Sequence, residues 1–206
     1  MFDIQNYPSF VLAVLVFQLI PGAGTIAILN ATARDGSAAG MAAVAGTLAG
    51  DFVFMVAAVA GLAAVMQANP LLFEALQWFG AAYLCWLGLQ LVRQRVDPAG
   101  PEPSARRSPW AHFRQGFAVS LTNPKVMLFF VSFFPLFLRP TASAATLAAM
   151  MLHVTLLSLA YQAMLVLAGN AAARRLASIP SARRIATRLG GVALIGLGIK
   201  LAADNR

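Results

Sequence analysis

Apolar stretches of about 20 residues recur along this chain, and short polar breaks separate them. A helix of about 20 apolar residues is long enough to cross the roughly 30 Å hydrocarbon core of a bilayer. Hydrophobic residues make up 60% of the chain, charged residues make up 11%, and the mean hydropathy is +0.75. A soluble domain of this size is nearer half apolar and about one quarter charged. The sequence therefore predicts an integral membrane protein surrounded by the lipid bilayer.

The breaks between the apolar stretches predict six helices. Gly, Pro, Asn and Asp residues lie at these breaks, and such residues mark turns and loops. The predicted spans cover residues 8–30, 38–66, 70–92, 115–138, 143–169 and 187–203. The first and fourth spans are themselves interrupted near the middle, by residues 21–24 (PGAG) and by Asn123-Pro124.

The basic residues predict how these helices are oriented. Eleven of the 15 Lys and Arg residues fall on or beside the first, third and fifth loops. Because cytoplasmic loops carry an excess of Lys and Arg, loops 31–37, 93–114 and 170–186 are predicted to be cytoplasmic and both termini outside. We expect the plasma (inner) membrane. The net charge of +8 then reflects topology, and we expect no nucleic acid partner.

Two segments suggest an internal repeat. Residues 80–91 and 190–201 are identical at five of twelve positions when offset by 110 residues. The interrupted first and fourth spans carry Pro21 and Pro124 at matching places. A unit of three spans enters the membrane from opposite sides in its two copies, which is an inverted repeat typical of transporters. We therefore predict an all-α membrane protein of six transmembrane helices, arranged as two inverted three-helix repeats with broken first and fourth helices. The first repeat, a Pro-rich cytoplasmic linker and the second repeat cover residues 1–93, 94–113 and 114–206.

Three ionisable residues lie deep within predicted spans. Lys125 is 11 residues beyond Arg114, which places it about 16 Å into the membrane at 1.5 Å per residue. Asp51 is near the middle of the second span, and His153 occupies a nearly equivalent place in the second repeat. Ionisable residues within membrane spans usually mark substrate or proton pathways. Asp51 and His153 are candidates for proton coupling, although a buried Asp51–Lys125 ion pair or a histidine bonded to a helix carbonyl would also fit.

The two interruptions predict a substrate site. Proline frees a backbone carbonyl, and the helix that restarts after a break directs amide N–H groups into the opening. Lys125 adds a positive charge there, and Asp51 can receive an amine, so the site suits a zwitterion. The predicted substrate-binding residues are Pro21, Gly22, Gly24, Thr25, Asn123, Pro124 and Lys125.

The same segments resemble the lysine exporter (LysE/RhtB) family of amino-acid efflux proteins. The resemblance covers nearly the whole chain, through IPGAGTIAILNATARDGSAAGMAAVAGTLAGD at 20–51, GAAYLCWLGLQLVR at 80–93, FRQGFAVSLTNPKVMLFFVSFFPLF at 113–137 and GGVALIGLGIKLA at 190–202. It implies six helices and export of small amino acids, by exchange for protons. The positions that carry over by motif are Pro21, Gly22, Thr25, Gly50, Asp51, Asn123, Pro124 and Lys125. The chain departs from the family pattern at Ala23-Gly24 and at Ser120.

The leading hypothesis is therefore a secondary transporter that exports small neutral or basic amino acids, or derivatives of them, by proton antiport with alternating access. Export of an inorganic ion or another small metabolite is an alternative. An intramembrane enzyme would need a nucleophile beside a base, for which His153 has only Ser120 and Ser158 within conceivable reach. We expect no catalytic residue, metal or cofactor. Glycine faces can pack within one chain or between two, so a homo-oligomer is compatible with the sequence.

Overall fold

A computed structural model describes residues 4–19, 22–68, 70–93, 107–139, 142–168 and 180–204. All regular secondary structure in these ranges is helical. The helices are α1 (Tyr7–Leu19), α2 (Ala23–Asp35), α3 (Ser37–Ala68), α4 (Pro70–Arg93), α5 (Pro109–Leu121), α6 (Pro124–Phe133), a 3₁₀ turn (Phe134–Phe137), α7 (Ala144–Leu167) and α8 (Pro180–Asp204).

Up to five membrane spans can be recognised among the described helices. Helices α3, α4 and α7 each contain an apolar stretch long enough to cross a bilayer. The pairs α1–α2 and α5–α6 also qualify when each pair counts as one span, with bends of 56° and 60°. Helix α8 contains a shorter apolar segment, Gly191–Ala203. The chain is thus a multi-pass helical membrane protein with interrupted first and fourth spans, whereas the sixth span and the inverted relation of the repeats remain predictions.

Several helix ends differ from the sequence prediction. Helix α2 continues to Asp35, so the loop predicted over 31–37 is wrong in extent and reduces to Gly36, whose φ is +90°. Helix α5 begins at Pro109 because the Ser108 side chain accepts a hydrogen bond from the Ala111 N–H and proline suits the first helical position. Residues 109–114 are therefore helix rather than loop. Likewise, α8 begins at Pro180 instead of 187.

The start of α1 and the last part of α8 lie at the same end of the molecule. The Gln5 N–H donates to the Phe137 carbonyl at 3.0 Å, and Lys200 Nζ, near the end of α8, donates to Ser9 Oγ at 3.0 Å. We call this the Phe137 end. Because α1 starts at the Phe137 end and continues through a 56° bend into α2 as one span, α2 finishes toward the opposite end, which we call the Asp35 end.

Aromatic side chains fill the core between α1 and α6 toward the Phe137 end. Phe10 contacts Phe133 and Phe137 with ring centroids 5.3 and 5.5 Å apart, and Phe17 stacks on Phe129 at 3.7 Å. Phe10, Phe133 and Phe137 are fully buried. This aromatic cluster packs the first half of one broken span against the second half of the other.

Glycines bring α3 and α5 into backbone contact. A methyl group added at Gly46 would collide with the Phe113 carbonyl, and one at Gly50 would lie 2.6 Å from Ser120 Cβ. The helix that approaches these two glycines of α3 is α5. The contact at Gly50 places Ser120 beside Asp51, the next residue of α3.

Candidate functional site

The first helix break is built from glycine. Gly22 precedes α2 with φ −107° and ψ −179°, and no side chain of a described residue caps the N–H groups of the first turn. This backbone is extended, so an alanine could adopt it as well. A methyl group added at Gly22 would meet nothing within 4 Å. Glycine therefore provides open space here, and the uncapped turn leaves amide donors for a ligand.

The second break is built from a capping asparagine. Asn123 Oδ1 accepts a hydrogen bond from the Lys125 N–H at 3.1 Å, and Pro124 occupies the first position of α6. An asparagine cap satisfies one donor of the first turn, and proline has no N–H to satisfy. This break is therefore ordered by its own side chains, and it presents Lys125 directly after the bend.

Both breaks border one cavity of about 60 Å³. A single water molecule needs roughly 10–15 Å³ by this measure, so the cavity has room for several polar atoms of a ligand. Its lining residues come from α1, α2, α3, α5, α6 and α7, together with the two break residues that precede α2 and α6: Phe17, Gln18, Gly22, Gly24, Thr25, Thr47, Asp51, Ser120, Asn123, Lys125, Val126 and Gln162. Asp51 is the acidic member of this described lining, and Lys125 is the basic one.

Asp51 is held from α5 rather than from α6. Ser120 Oγ donates a hydrogen bond to Asp51 Oδ1 at 2.5 Å. The other carboxylate oxygen receives no hydrogen bond from a described residue, and no ion pair forms between Asp51 and Lys125. A membrane carboxylate fixed through one oxygen keeps the second available to a ligand or a proton.

Lys125 contacts an aromatic face. Its Nζ lies 5.1 Å from the centroid of the Phe17 ring, within the range of a cation–π interaction. No described residue accepts a hydrogen bond from this ammonium group. The three N–H donors of this group therefore lack an acceptor among the described residues, which leaves them available to an anionic ligand.

Two glutamines of the cavity wall connect the predicted repeats. Thr47 Oγ1 donates to Gln162 Oε1 at 2.9 Å, and Gln18 Nε2 donates to Ser158 Oγ. Both bonds join the first repeat to α7. They are buried or partly buried, so they fix α7 against the cavity.

Six of the nine residues predicted from the sequence line this cavity: Gly22, Gly24, Thr25, Asp51, Asn123 and Lys125. Pro124 is the first residue of α6, and Pro21 lies outside the described residues. His153 is elsewhere, with Nδ1 2.7 Å from the Ala149 carbonyl and its ring edge-on to Tyr7. That geometry matches the simpler interpretation of this histidine, and its role in proton coupling remains a prediction.

The sequence analysis missed other wall residues. Gln18, Gln162, Phe17, Thr47 and Val126 line the cavity but are not among the predicted site residues. Ser120 was noted as a departure from the family pattern, but its bond to Asp51 was not foreseen. Polar residues within apolar helices were the available signal, as with Gln18 in α1 and Gln162 in α7.

Comparison with known proteins agrees with the resemblance seen in the sequence. The family model described as LysE type translocator matches residues 15–205. A leucine efflux protein of Klebsiella pneumoniae is 31% identical, over 98% of this chain and 96% of the relative. A leucine efflux protein of Enterobacter sp. (strain 638) is 30% identical, over 98% of this chain and 97% of the relative. An uncharacterised membrane protein of Pseudomonas aeruginosa is 33% identical over 97% and 95%.

No solved structure matches the chain. The family match nevertheless extends over both helix breaks and the α3 carboxylate, and the described helices include the apolar spans that a translocator needs. Transport rather than enzymatic catalysis is therefore the activity of this class of protein. The chain belongs to the LysE type translocator family.

Proposed function

We propose that the protein exports a neutral amino acid from the cytoplasm, with leucine as the first candidate. The observation that carries this proposal is that Asp51 and Lys125 line one cavity without pairing with each other. Two relatives are named leucine efflux proteins, which supports the substrate class.

The charges of the cavity favour a neutral over a basic amino acid. Among the described lining residues, Asp51 can pair with an α-amino group and Lys125 with an α-carboxylate. A basic side chain would bring a second positive charge with no acidic partner in that lining, and an unpaired charge is costly at this depth. The uncapped N–H groups after Gly22 add donors for the carboxylate.

We further propose that export is coupled to proton entry through Asp51. The ionised carboxylate holds the substrate amine, and protonation from outside neutralises it and weakens that hold. Ser120 keeps one oxygen fixed, so the other exchanges between amine and proton. A pH gradient across the membrane, with the outside more acidic, would then drive export, because each proton that enters displaces a substrate molecule.

The transport cycle we propose is alternating access, with the units 1–93 and 114–206 moving about the cavity and the 94–113 linker between them. Cavities between discontinuous helices are typical of such transporters. The distribution of Lys and Arg supports an inner-membrane orientation with both termini outside.

Efflux from cells loaded with mixed dipeptides tests the proposal. Cells that express the unmodified protein should release leucine or another neutral amino acid faster than control cells. Asp51→Asn and Lys125→Ala should abolish this gain while reaching the membrane in equal amount. Lys200→Ala is the matched control, since Lys200 binds Ser9 and Asn6 at the Phe137 end.

Two outcomes would contradict the proposal. If no amino acid leaves faster, the cargo is not an amino acid, and ions or other metabolites are tested next. If Asp51→Asn still concentrates substrate against a gradient set by pH, Asp51 does not couple export to protons.

A further inference from the structure

An aspartate–histidine pair lies at the Asp35 end of the molecule, away from the cavity. His112 Nε2 lies 2.7 Å from Asp35 Oδ2, and the two side chains are 5% and 6% exposed. The Arg107 N–H donates to the same carboxylate oxygen at 3.3 Å. Burying such groups is costly unless they are paired, so as long as this contact is formed it holds α2 and α5 together.

The pair joins the two halves of the chain at a specific place. Asp35 is the last residue of α2 in the first predicted repeat, and His112 lies in the first turn of α5, which continues from the predicted linker into the second repeat. Each helix has its other end at the cavity, at Gly22 and Asn123. At 1.5 Å per residue, the pair lies about 20 Å from Gly22 along α2 and about 16 Å from Asn123 along α5.

The two ends of the molecule are packed by different chemistry. Toward the Phe137 end, fully buried rings such as Phe133 and Phe137 pack α1 against α6. At the Asp35 end, a polar pair closes α2 on α5, and α3 packs on α5 through Gly46 and Gly116. Breaking the Asp35–His112 contact would remove the polar tie between α2 and α5, while α2 would keep its apolar packing on α3 through Ile28 and Ala31.

We propose that Asp35 and His112 form a gate that closes the cavity from the Asp35 end and opens once in each transport cycle. This inference rests on the proposed function, because a gate requires alternating access. The half-helices α2 and α5 carry the pair at one end and cavity residues at the other. Their separation would therefore connect the cavity with this end of the molecule. A fixed tie between α2 and α5 is the competing explanation, and it predicts that the contact never opens.

A reversible cross-link distinguishes a gate from a fixed tie. The chain has one cysteine, Cys85, whose Sγ contacts α8 at the Ile195 carbonyl. Cys85→Ser therefore provides a parent without thiols, into which Asp35→Cys and His112→Cys are introduced singly and together. Transport is measured with the thiols reduced, after joining them through two mixed disulfides with a short bifunctional methanethiosulfonate reagent, and after dithiothreitol has reduced those disulfides.

The gate predicts loss of transport in the cross-linked double variant and recovery after reduction. The transport rate of each single variant should be the same before and after the treatment, which controls for blocking by the reagent. Full transport in a quantitatively cross-linked protein would overturn the proposal. Absence of export by the parent itself would instead contradict the proposed function, so the two failures are distinguishable.

A labelling measurement decides the question if the double variant is inactive even when reduced. His112→Cys in the Cys85→Ser parent keeps Asp35 and places one thiol at the buried position. A water-soluble maleimide should label this thiol slowly at rest and faster during export of the substrate. Equal labelling rates at rest and during export would overturn the gate.

Discussion

The two helix breaks have nearly the same bend but opposite chemistry. Helices α1 and α2 meet at 56°, and α5 and α6 meet at 60°. The first break has Gly22, open space and no side-chain cap. The second has Asn123, which bonds the Lys125 N–H and thereby orders the start of α6. One break leaves room and donors for a ligand, and the other positions a charge.

This difference separates the two demands on a binding site. A site needs unsatisfied groups for its ligand, but unsatisfied backbone groups in a membrane are costly. The Asn123 cap reduces that cost at one break, while Gly22 leaves the donors of α2 uncapped at the other. Substitutions at the first break should therefore change transport, and those at the second should change both transport and stability.

Lys125→Met should have the largest effect, because it removes the charge that the second break presents. A charge-assisted hydrogen bond contributes about 1.5–3 kcal/mol, so we expect kcat/KM for amino-acid export to fall roughly 10- to 100-fold. Initial rates in proteoliposomes check this. Lys200→Met, which removes the other lysine of the chain, should leave transport unchanged, and an equal loss in both variants would contradict a specific role for Lys125.

Asn123→Ala should have the next largest effect. Loss of an N-cap destabilises a protein by about 1 kcal/mol, and the freed first turn should also misplace Lys125. We expect a lower thermal unfolding midpoint in detergent together with slower transport. Asn123→Ser retains a capping oxygen and should recover most of both. Full stability of the alanine variant would mean that the cap does not order the break.

Gly22→Ala should impair transport without loss of stability. The backbone is extended and a methyl group meets no atom, so replacing glycine should be neutral or stabilising by up to about 1 kcal/mol. The methyl group would occupy ligand space, which should raise KM several-fold, with a larger effect for Gly22→Val. Destabilisation as large as that of Asn123→Ala would remove the contrast between the breaks.

Ser120→Ala should have the smallest effect of the four. Ser120 orients Asp51 through one hydrogen bond, which contributes about 0.5–1.5 kcal/mol. We expect a modest rise in KM with kcat largely kept, while Ser120→Thr should retain the donor. Complete loss of transport, with normal folding, would show that Ser120 contacts the substrate itself.

The breaks and their charges could be predicted from the sequence because they are local departures from an apolar pattern. PGAG at 21–24 and Asn123-Pro124 are poor helix formers, and Asp51 and Lys125 are conspicuous at their depth. The early start of α5 was missed because hydropathy, rather than the Ser108-Pro109 capping pattern, had set the boundary.

Contacts between distant residues could not be predicted in the same way. Depth along a helix follows from residue number, but the direction that a side chain faces depends on the packing of other helices. Gln162 lines the cavity and accepts a hydrogen bond from Thr47, which lies 115 positions earlier in the chain. The pairing of Asp35 with His112 spans 77 positions. Neither local propensity nor periodicity encodes such partners.

The central claim is that Lys125 binds the substrate carboxylate in the cavity between the two breaks. The most direct test compares export of the amino acid with export of its amide, which lacks the carboxylate charge, for the unmodified protein and for Lys125→Met. The account predicts that the unmodified protein strongly prefers the amino acid and that Lys125→Met loses this preference. An undiminished preference in Lys125→Met would contradict the account, because the carboxylate would then be recognised elsewhere.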